Sequence, residues 1–511
     1  MVDEMNTILS DSSWWNASRR REAELRFSQP IVQAFFDEIQ AGREDPESLR
    51  EKIIRLPSAK EDGYSRVFFV GTTGAGKTSL LRQLIGSNPD RDRFPSTAPA
   101  KTTIADIEMI QAEGTFESVV TFFSEFHVQA NIEECLIDAC LAKFDGAPNH
   151  KVAERLLNHR DQKFRLSYVL GSLQQESHHD DDSDFSFDDR EPEEAFLKDT
   201  EITENDRSQY RQVIETYLAR AGQPTEAAIT QLQSDLELDL NTASGQDREA
   251  ARQLIEETIE EYLRQDEPFH ELVQDILDEV RTRFDQVKVG EFHRSRGNWP
   301  EYWTFQSPDR DEFIRTIRWF SSNSWTQYGR LLTPLVEGIR VKGPLFPELD
   351  HERTKLVLID GQGLGHTPDS SSSVTTHVTQ RFGHVDVILL VDNAQQPMQA
   401  AALSVLRTVC SSGYHEKLAI AFTHFDLIKG HNLPSFADKR SHVMGSVTNA
   451  LSNLKDVLGA PVVKAVEQSI EQRCFMLGGV DRPLAQLPSR AADYMKKSPA
   501  RPMLSTTHSV P

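Results

Sequence analysis

Eight consecutive residues carry the most direct chemical signal in this sequence, because they match the pattern G-x-x-x-x-G-K-[ST]. In order they are Gly71, Thr72, Thr73, Gly74, Ala75, Gly76, Lys77 and Thr78. Glycines in such a segment permit a tight turn in which backbone N–H groups approach phosphate oxygens closely. The Lys77 ammonium group can then reach the β- and γ-phosphates, and the Thr78 hydroxyl group can bind Mg²⁺. The segment therefore predicts a nucleoside triphosphate site with Mg²⁺ as cofactor, continued by Ser79 in the following helix.

A second segment, residues 356–363, can supply the metal-binding carboxylate. Asp360 closes the apolar run 356–359, and Gly363 follows three residues later, as in the pattern D-x-x-G. An acidic residue at the end of a strand is where proteins with such a phosphate loop hold Mg²⁺, often through water. The N–H group of Gly363 can sense the γ-phosphate. We predict Asp360 as a metal-binding residue and Gly363 as a catalytic one.

A third segment, residues 423–426, has the sequence Thr-His-Phe-Asp and directly follows an apolar run. With it the chain resembles the GTPase superclass that includes dynamin-like, septin-like and AIG1/Toc-like proteins, whose base-recognition motif is [NT]-K-x-D. The resemblance implies that Asp426 accepts hydrogen bonds from the guanine N1–H and amino groups, next to Thr423. Adenine offers no such donors, which would leave a buried acceptor unpaired. His424 stands where these proteins usually have lysine, and an imidazole ring can stack on a purine.

The resemblance implies three further positions. A switch threonine that contacts Mg²⁺ and the γ-phosphate is either Thr102 or Thr103, and we favour Thr103 as a catalytic and metal-binding residue. A turn over the base falls at Gly478, where contact through the backbone is expected. Ras-like members orient the attacking water with a glutamine directly after the D-x-x-G glycine. Leu364 occupies that position here, so hydrolysis is expected to be slow.

These motifs predict a GTP-dependent switch or mechanochemical GTPase, with Lys77 among its catalytic residues. The resemblance to dynamin-like and septin-like proteins implies a homodimer or a protein partner across the nucleotide face. Two alternatives stay open. The altered motif at His424 allows a P-loop ATPase, and Leu364 allows a nucleotide-binding scaffold with little hydrolysis.

Composition excludes several other classes. The 511-residue chain has a formal net charge of −23, which would repel the phosphates of nucleic acid or of an anionic membrane. We expect no transmembrane segment, because no apolar run approaches the length that spans a bilayer. The N-terminal residues have no signal-peptide core. The four cysteines lack metal-ligand spacing, and a cytoplasmic protein with reduced thiols is expected.

Apolar periodicity predicts an α/β fold of the P-loop NTPase type. Apolar runs at 67–70, 355–359, 385–391, 418–422 and 474–477 predict a mostly parallel sheet flanked by helices. The predicted domains are a helical N-terminal segment (1–60), a nucleotide-binding domain split into 61–112 and 348–490, and a flexible tail (491–511). The intervening residues 113–347 are expected to form an acidic, mainly helical insertion, free of short apolar strands, with a disordered loop near 174–206.

Overall fold

A computed structural model describes residues 2–10, 14, 19–28, 30–32, 35, 44–72, 74–87, 94–95, 106–160, 164–173, 202–236, 246–295, 297–347, 353–361, 376–430 and 432–479. The architecture is α/β, with a large mixed sheet and many helices. The expected tail (491–511) and most of the expected loop near 174–206 lie outside the described residues. The last residues of that loop begin a helix at Glu204.

The described strands form one ten-stranded sheet with the order β10-β9-β8-β1-β7-β2-β6-β3-β5-β4. Their bounds are β1 (Ser65–Gly71), β2 (Asp106–Gln111), β3 (Phe116–Phe122), β4 (Glu291–Arg294), β5 (Pro300–Ser307), β6 (Val336–Gly343), β7 (Leu356–Asp360), β8 (Val387–Asn393), β9 (Leu418–Thr423) and β10 (Cys474–Met476). The strands β7, β1, β8, β9 and β10 run parallel, as predicted. Strand β2 runs antiparallel to β7 and places Ile107 opposite Asp360. The sheet is therefore mixed.

The expectation that residues 113–347 lack strands was wrong. Strands β3, β4, β5 and β6 all come from this region and extend the sheet beyond β2. Strand β6 escaped detection because it carries the charged residues Glu337, Arg340 and Lys342. Arg340 is fully buried. A charged side chain can occupy such a position because ion pairs compensate for the loss of water around it. A search for continuous apolar runs does not find such a strand.

The helices cover both faces of the sheet and also make up much of residues 113–347. Their bounds are α1 (Val2–Ser10), α2 (Arg20–Arg26), α3 (Pro46–Ile53), α4 (Ala59–Asp62), α5 (Lys77–Leu84), α6 (Glu125–Phe144), α7 (Asn149–Leu157), α8 (Leu166–Leu170), α9 (Glu204–Arg220), α10 (Gly222–Leu236), α11 (Gln246–Leu263), α12 (Glu267–Phe284), α13 (Arg310–Ser321), α14 (Thr376–Arg381), α15 (Ala400–Ser411), α16 (Phe436–Asn453), α17 (Lys455–Leu458) and α18 (Ala460–Ile470). Within the described part of the chain, no helix combines the length and apolar character that crossing a membrane requires.

Strand β1 contributes to two apolar cores, one on each face of the sheet. Val67 and Phe69 pack into the core that contains α5 and the helices of residues 113–347. Phe68 and Val70 pack into the opposite core, together with α15, α16 and α18. The alternation follows from the two-residue period of a strand. Because both faces are covered, the central strands are continuously apolar.

A buried ionic group connects helix α3 to the sheet. We call it the arginine cluster: the Glu108 carboxylate surrounded by the buried guanidinium groups of Arg50, Arg340 and Arg381. Arg340 Nε lies 2.7 Å and Arg50 Nε 3.7 Å from Glu108 Oε2, and Arg381 Nη1 lies 3.2 Å from Glu108 Oε1. Arg340 also pairs with Glu51 of α3 at 2.7 Å. The cluster thus joins α3, β2, β6 and α14 through charge.

Candidate functional site

Three parallel strands bring the three sequence motifs to one edge of the sheet. Strand β1 ends at Gly71, β7 at Asp360 and β9 at Thr423. Since β7, β1, β8 and β9 all run in the same direction, their carboxyl ends lie at the same edge. In open α/β sheets this edge is where ligands bind. The fold and this convergence define an α/β protein with a candidate ligand site at the carboxyl edge of its sheet.

The loop between β1 and α5 has a conformation that requires glycine. Gly74 and Gly76 have φ angles of 78° and 80°, in the left-handed region that side chains disfavour. At Gly71, a Cβ atom would lie 2.2 Å from the carbonyl oxygen of Val391. Replacing this glycine would therefore force the loop away from β8.

Helix α5 begins at Lys77, directly after Gly76, and is anchored by the buried side chains of Leu80 and Leu81. The first N–H groups of any helix have no partner within the helix, and they carry the positive end of the helix dipole. Thr78 and Ser79 lie half-buried in this first turn. N–H groups without an intrahelical partner and the positive end of the helix dipole therefore lie directly after the loop, and helix N-termini of this kind favour anions.

Lys77 is linked to the end of β7. Its Nζ atom lies 2.9 Å from Asp360 Oδ1 and also donates to the carbonyl oxygen of Gly361. Both charged side chains are buried. The Oδ1 atom is at ion-pair distance from Lys77 but outside hydrogen-bond geometry. The structure therefore brings the predicted phosphate-binding lysine and the predicted metal-binding carboxylate into contact.

Thr423 connects the end of β9 to the same loop. Its hydroxyl oxygen lies 2.6 Å from the carbonyl oxygen of Ala75, 3.2 Å from that of Asp392 and 2.9 Å from Nδ1 of His424. A Cβ atom on Gly76 would lie 3.3 Å from the Thr423 side chain. The first and third motifs are thus in direct contact although they are 348 positions apart in the chain.

Asp426 and Gly478 also lie together, as the predicted base-recognition site requires. Residues Phe425–Leu427 form a single 3₁₀ turn after β9, and the N–H group of Phe425 donates to the carbonyl oxygen of Leu477 at 3.0 Å. The N–H group of Gly479 donates to Asp426 Oδ1 at 3.2 Å. A Cβ atom on Gly478 would lie 3.0 Å from Asp426. Asp426 itself is exposed.

The predicted site residues Thr73, Thr103 and Gly363 lie outside the described part of the chain, as do the alternative switch threonine Thr102 and Leu364. Their roles stay predictions. Among the residues that the structure does describe, no group of three His, Cys, Asp or Glu side chains is placed to hold a metal ion.

Asp392 is a site-proximal residue that the motif search missed. It lies in β8 directly after Val391, is 3% exposed, and accepts a hydrogen bond from the N–H group of Met398 at 2.7 Å. Burial raises the pKa of its carboxyl group to about 6. Hydrogen bonds from the backbone N–H groups of Met398 and Asn393 lower the pKa and so partly oppose the effect of burial. The signal in the sequence is an acidic residue near the end of an apolar strand, the same pattern as at Asp360.

This pKa predicts a pH-dependent stability. Because the folded-state pKa of about 6 exceeds the ordinary value of 3.8, the stabilising contribution is complete below about pH 4 and is lost as the pH rises through 6. Asp392→Asn keeps the acceptor for Met398 without the buried charge. We expect the variant to exceed the wild type by about 3 kcal/mol in free energy of unfolding at pH 8 and by little near pH 4.

Urea denaturation at several pH values measures that difference. Asp456→Asn, which changes an exposed carboxyl group on α17, is the control and should show no comparable trend. A difference between Asp392→Asn and the wild type that is constant from pH 4 to pH 8 would contradict the assignment.

Comparisons with known proteins do not establish a family. No protein-family model matches the chain, and no curated protein matches it. Two solved structures of an oligomerised bacterial dynamin pair, described as a mechanism for long-range sensing and tethering of membranes, are weakly similar. One has 12% identity and a TM-score of 0.32 over 93% of this chain and 44% of that chain. The other has 10% identity and a TM-score of 0.33 over 97% and 40%.

This chain therefore spans less than half the length of either of those chains. At these TM-scores, the similarity carries no argument about fold, activity or partners.

Proposed function

We propose that the chain is a P-loop nucleoside triphosphatase that binds GTP with Mg²⁺ and hydrolyses it slowly. The observation that supports this most directly is the convergence of Lys77, Asp360 and Thr423. Lys77 pairs with Asp360 at 2.9 Å, and Thr423 contacts the same loop at Ala75. Three motifs that are widely separated in the chain thus meet at one edge of the sheet, as a site that binds the phosphates, the metal ion and the base of one nucleotide requires.

In this proposal the backbone of residues 71–78 surrounds the phosphates and Lys77 neutralises their charge. The oxygen donors of Thr78 and Asp360 suit Mg²⁺, which prefers hard oxygen ligands and usually retains water. Bound Mg²⁺ would neutralise charge that develops on the phosphate oxygens during transfer. Thr103 and Gly363 are the proposed contacts to the γ-phosphate. Lys77 Nζ lies 2.9 Å from Asp360 Oδ1, so the proposed phosphate-binding lysine and the proposed metal-binding carboxylate are neighbours.

The proposed base site is formed by Thr423, His424, Asp426 and Gly478. The contact between Asp426 and the Gly478–Gly479 backbone supports this proposal, because the carboxylate lies beside the turn that we propose to cover the base. A carboxylate favours guanine over adenine, since only guanine offers two donors on that edge. GTP is therefore the proposed nucleotide.

Slow turnover follows from Leu364 at the position where Ras-like proteins carry a water-orienting glutamine. We propose that a second subunit or a protein partner across the nucleotide face supplies the missing polar group. Loss of the γ-phosphate would then act as a switch on the helices of residues 113–347. The cytoplasm is the proposed compartment.

Calorimetric titration with non-hydrolysable GTP and ATP analogues, with and without Mg²⁺, tests the proposal. We expect the GTP analogue to bind at least tenfold more tightly than the ATP analogue, and Mg²⁺ to strengthen its binding. If the ATP analogue binds and the GTP analogue does not, Asp426 does not recognise guanine. A specific hydrolysis rate that does not change with protein concentration or partner would count against activation by a second subunit.

A further inference from the structure

The Thr423 hydroxyl group has three polar neighbours but only one proton to donate. Its neighbours are the carbonyl oxygens of Ala75 and Asp392 and the Nδ1 atom of His424. A carbonyl oxygen can only accept a hydrogen bond. At 2.6 Å, the oxygen atoms of Thr423 and Ala75 would repel each other without a proton between them. The Thr423 proton must therefore point to Ala75.

This assignment fixes the role of the His424 ring. Since the Thr423 proton is used on Ala75, the hydroxyl oxygen can only accept from Nδ1 at 2.9 Å. The Nδ1 atom must therefore carry a hydrogen and donate it. The result is a directed chain of hydrogen bonds from His424 to Thr423 and from Thr423 to Ala75.

The backbone of His424 supports this arrangement. Its φ angle is 55° and its ψ angle is 23°, in the left-handed region, which costs any residue with a Cβ atom some strain, although less for His, Asn and Asp than for most. Such strain persists only where neighbouring contacts enforce it. Neighbouring backbone bonds do so here: the N–H group of Phe425 bonds to the Leu477 carbonyl oxygen, and that of Leu427 to the His424 carbonyl oxygen. In this backbone conformation, the His424 ring contacts the hydroxyl group of Thr423.

We propose that His424 is a positioning residue that acts on the phosphate loop through Thr423, rather than a lysine substitute that stacks on the base. By donating from Nδ1, it holds the Thr423 rotamer whose hydroxyl group clamps the carbonyl oxygen of Ala75. The clamp fixes the loop segment between Gly74 and Lys77, directly before the first turn of α5, whose N–H groups have no partner within the helix and would face the phosphates. This inference rests on the proposed nucleotide function.

A pair of substitutions at one position separates the two roles. His424→Asn and His424→Gly both tolerate the left-handed backbone, but only the asparagine amide can replace the Nδ1–H donor. We expect His424→Gly to weaken binding of a non-hydrolysable GTP analogue about tenfold, as for loss of one supporting hydrogen bond. His424→Asn should restore most of that loss. Equal losses in both variants would overturn the proposal and favour stacking on the base.

A double-mutant cycle with Thr423→Val gives a second, independent test. If His424 acts through the Thr423 hydroxyl group, His424→Gly should change affinity less than about twofold once that hydroxyl is absent. Additive losses would overturn the proposal. Thr423→Ser, which keeps the hydroxyl group, shows whether the valine variant fails for lack of the hydroxyl or for misfolding.

Amide hydrogen exchange of the nucleotide-free protein provides a readout that does not depend on nucleotide binding. Exchange at residues 74–76 should be faster in His424→Gly than in the wild type, and should be close to the wild-type rate in His424→Asn. If the wild type binds no nucleotide, the proposed function fails, and the exchange rates alone decide whether His424 holds the loop. Unchanged exchange in His424→Gly would show that it does not.

Discussion

Glu108→Gln is expected to lower the free energy of unfolding by about 3–5 kcal/mol, the range for breaking a buried ion pair from one side. Glu108 is 1% exposed and is the carboxylate shared by all three members of the arginine cluster. The substitution keeps the size of the side chain but removes its charge. Among the described residues, the three buried guanidinium groups would then be left with the carboxylates of Asp106, Glu47 and Glu51.

The pKa of Glu108 gives the pH range of this effect. Burial raises the pKa of the carboxyl group, but Arg340, Arg50 and Arg381 more than offset it, so that the pKa lies below its ordinary value of 4.5. A lowered folded-state pKa contributes stability that is present above the unfolded value and is lost as the pH falls through the folded value. The difference between the wild type and Glu108→Gln should therefore be largest at neutral pH and shrink below pH 4.5.

Glu117→Gln is the matched control for chemical denaturation. Glu117 lies on the neighbouring part of the sheet and pairs with Lys342 at 2.9 Å, but both side chains are partly exposed. Water can replace such a pair, so we expect a loss below about 1 kcal/mol. Similar losses of unfolding free energy in the two variants would contradict the claim that burial makes the ion pairs of the arginine cluster stabilising.

The sequence predicted the central strands well because burial on both faces leaves a simple signal. Strands β1, β7, β8 and β9 are continuous apolar runs, and a parallel arrangement followed from that pattern. Strand β6 was missed because its buried Arg340 is stabilised by residues distant in sequence, which no local pattern contains.

The candidate site divides in the same way. Lys77, Asp360 and Thr423 each follow or close an apolar strand, so the motifs and the parallel sheet together predicted their proximity. Asp392 was missed because the hydrogen bond from Met398 depends on the turn after β8. The donor role of His424 was missed because it depends on a left-handed backbone conformation and a neighbouring proton. Such features arise from tertiary contacts rather than from residue spacing.

Lys77→Met is expected to weaken binding of a GTP analogue at least about 100-fold, because it would remove the proposed charge-assisted hydrogen bonds to two phosphate groups. The same change leaves the Asp360 carboxylate, which is 1% exposed, without its ion-pair partner at 2.9 Å. We therefore expect the single variant to lose stability as well. Calorimetry and denaturation must be measured together to separate the two effects.

The double variant Lys77→Met/Asp360→Asn makes that separation. It removes both buried charges, so its stability should recover towards that of the wild type while nucleotide binding stays lost. Lys464→Met, at an exposed position of α18, is the control for loss of a positive charge. A double variant that folds and binds the GTP analogue within tenfold of the wild type would show that Lys77 is not a phosphate ligand.

Asp360→Asn alone should change the role of Mg²⁺ rather than abolish binding. The Asp360 carboxylate lies 2.9 Å from the Lys77 ammonium group, so phosphates would compete with that carboxylate for the ammonium group. Neutralising Asp360 removes this competitor and also removes a proposed oxygen ligand of the metal. We expect binding without Mg²⁺ to stay equal or become tighter, and the gain in affinity on adding Mg²⁺ to fall at least about tenfold. If that gain is unchanged, Asp360 is only a structural partner of Lys77.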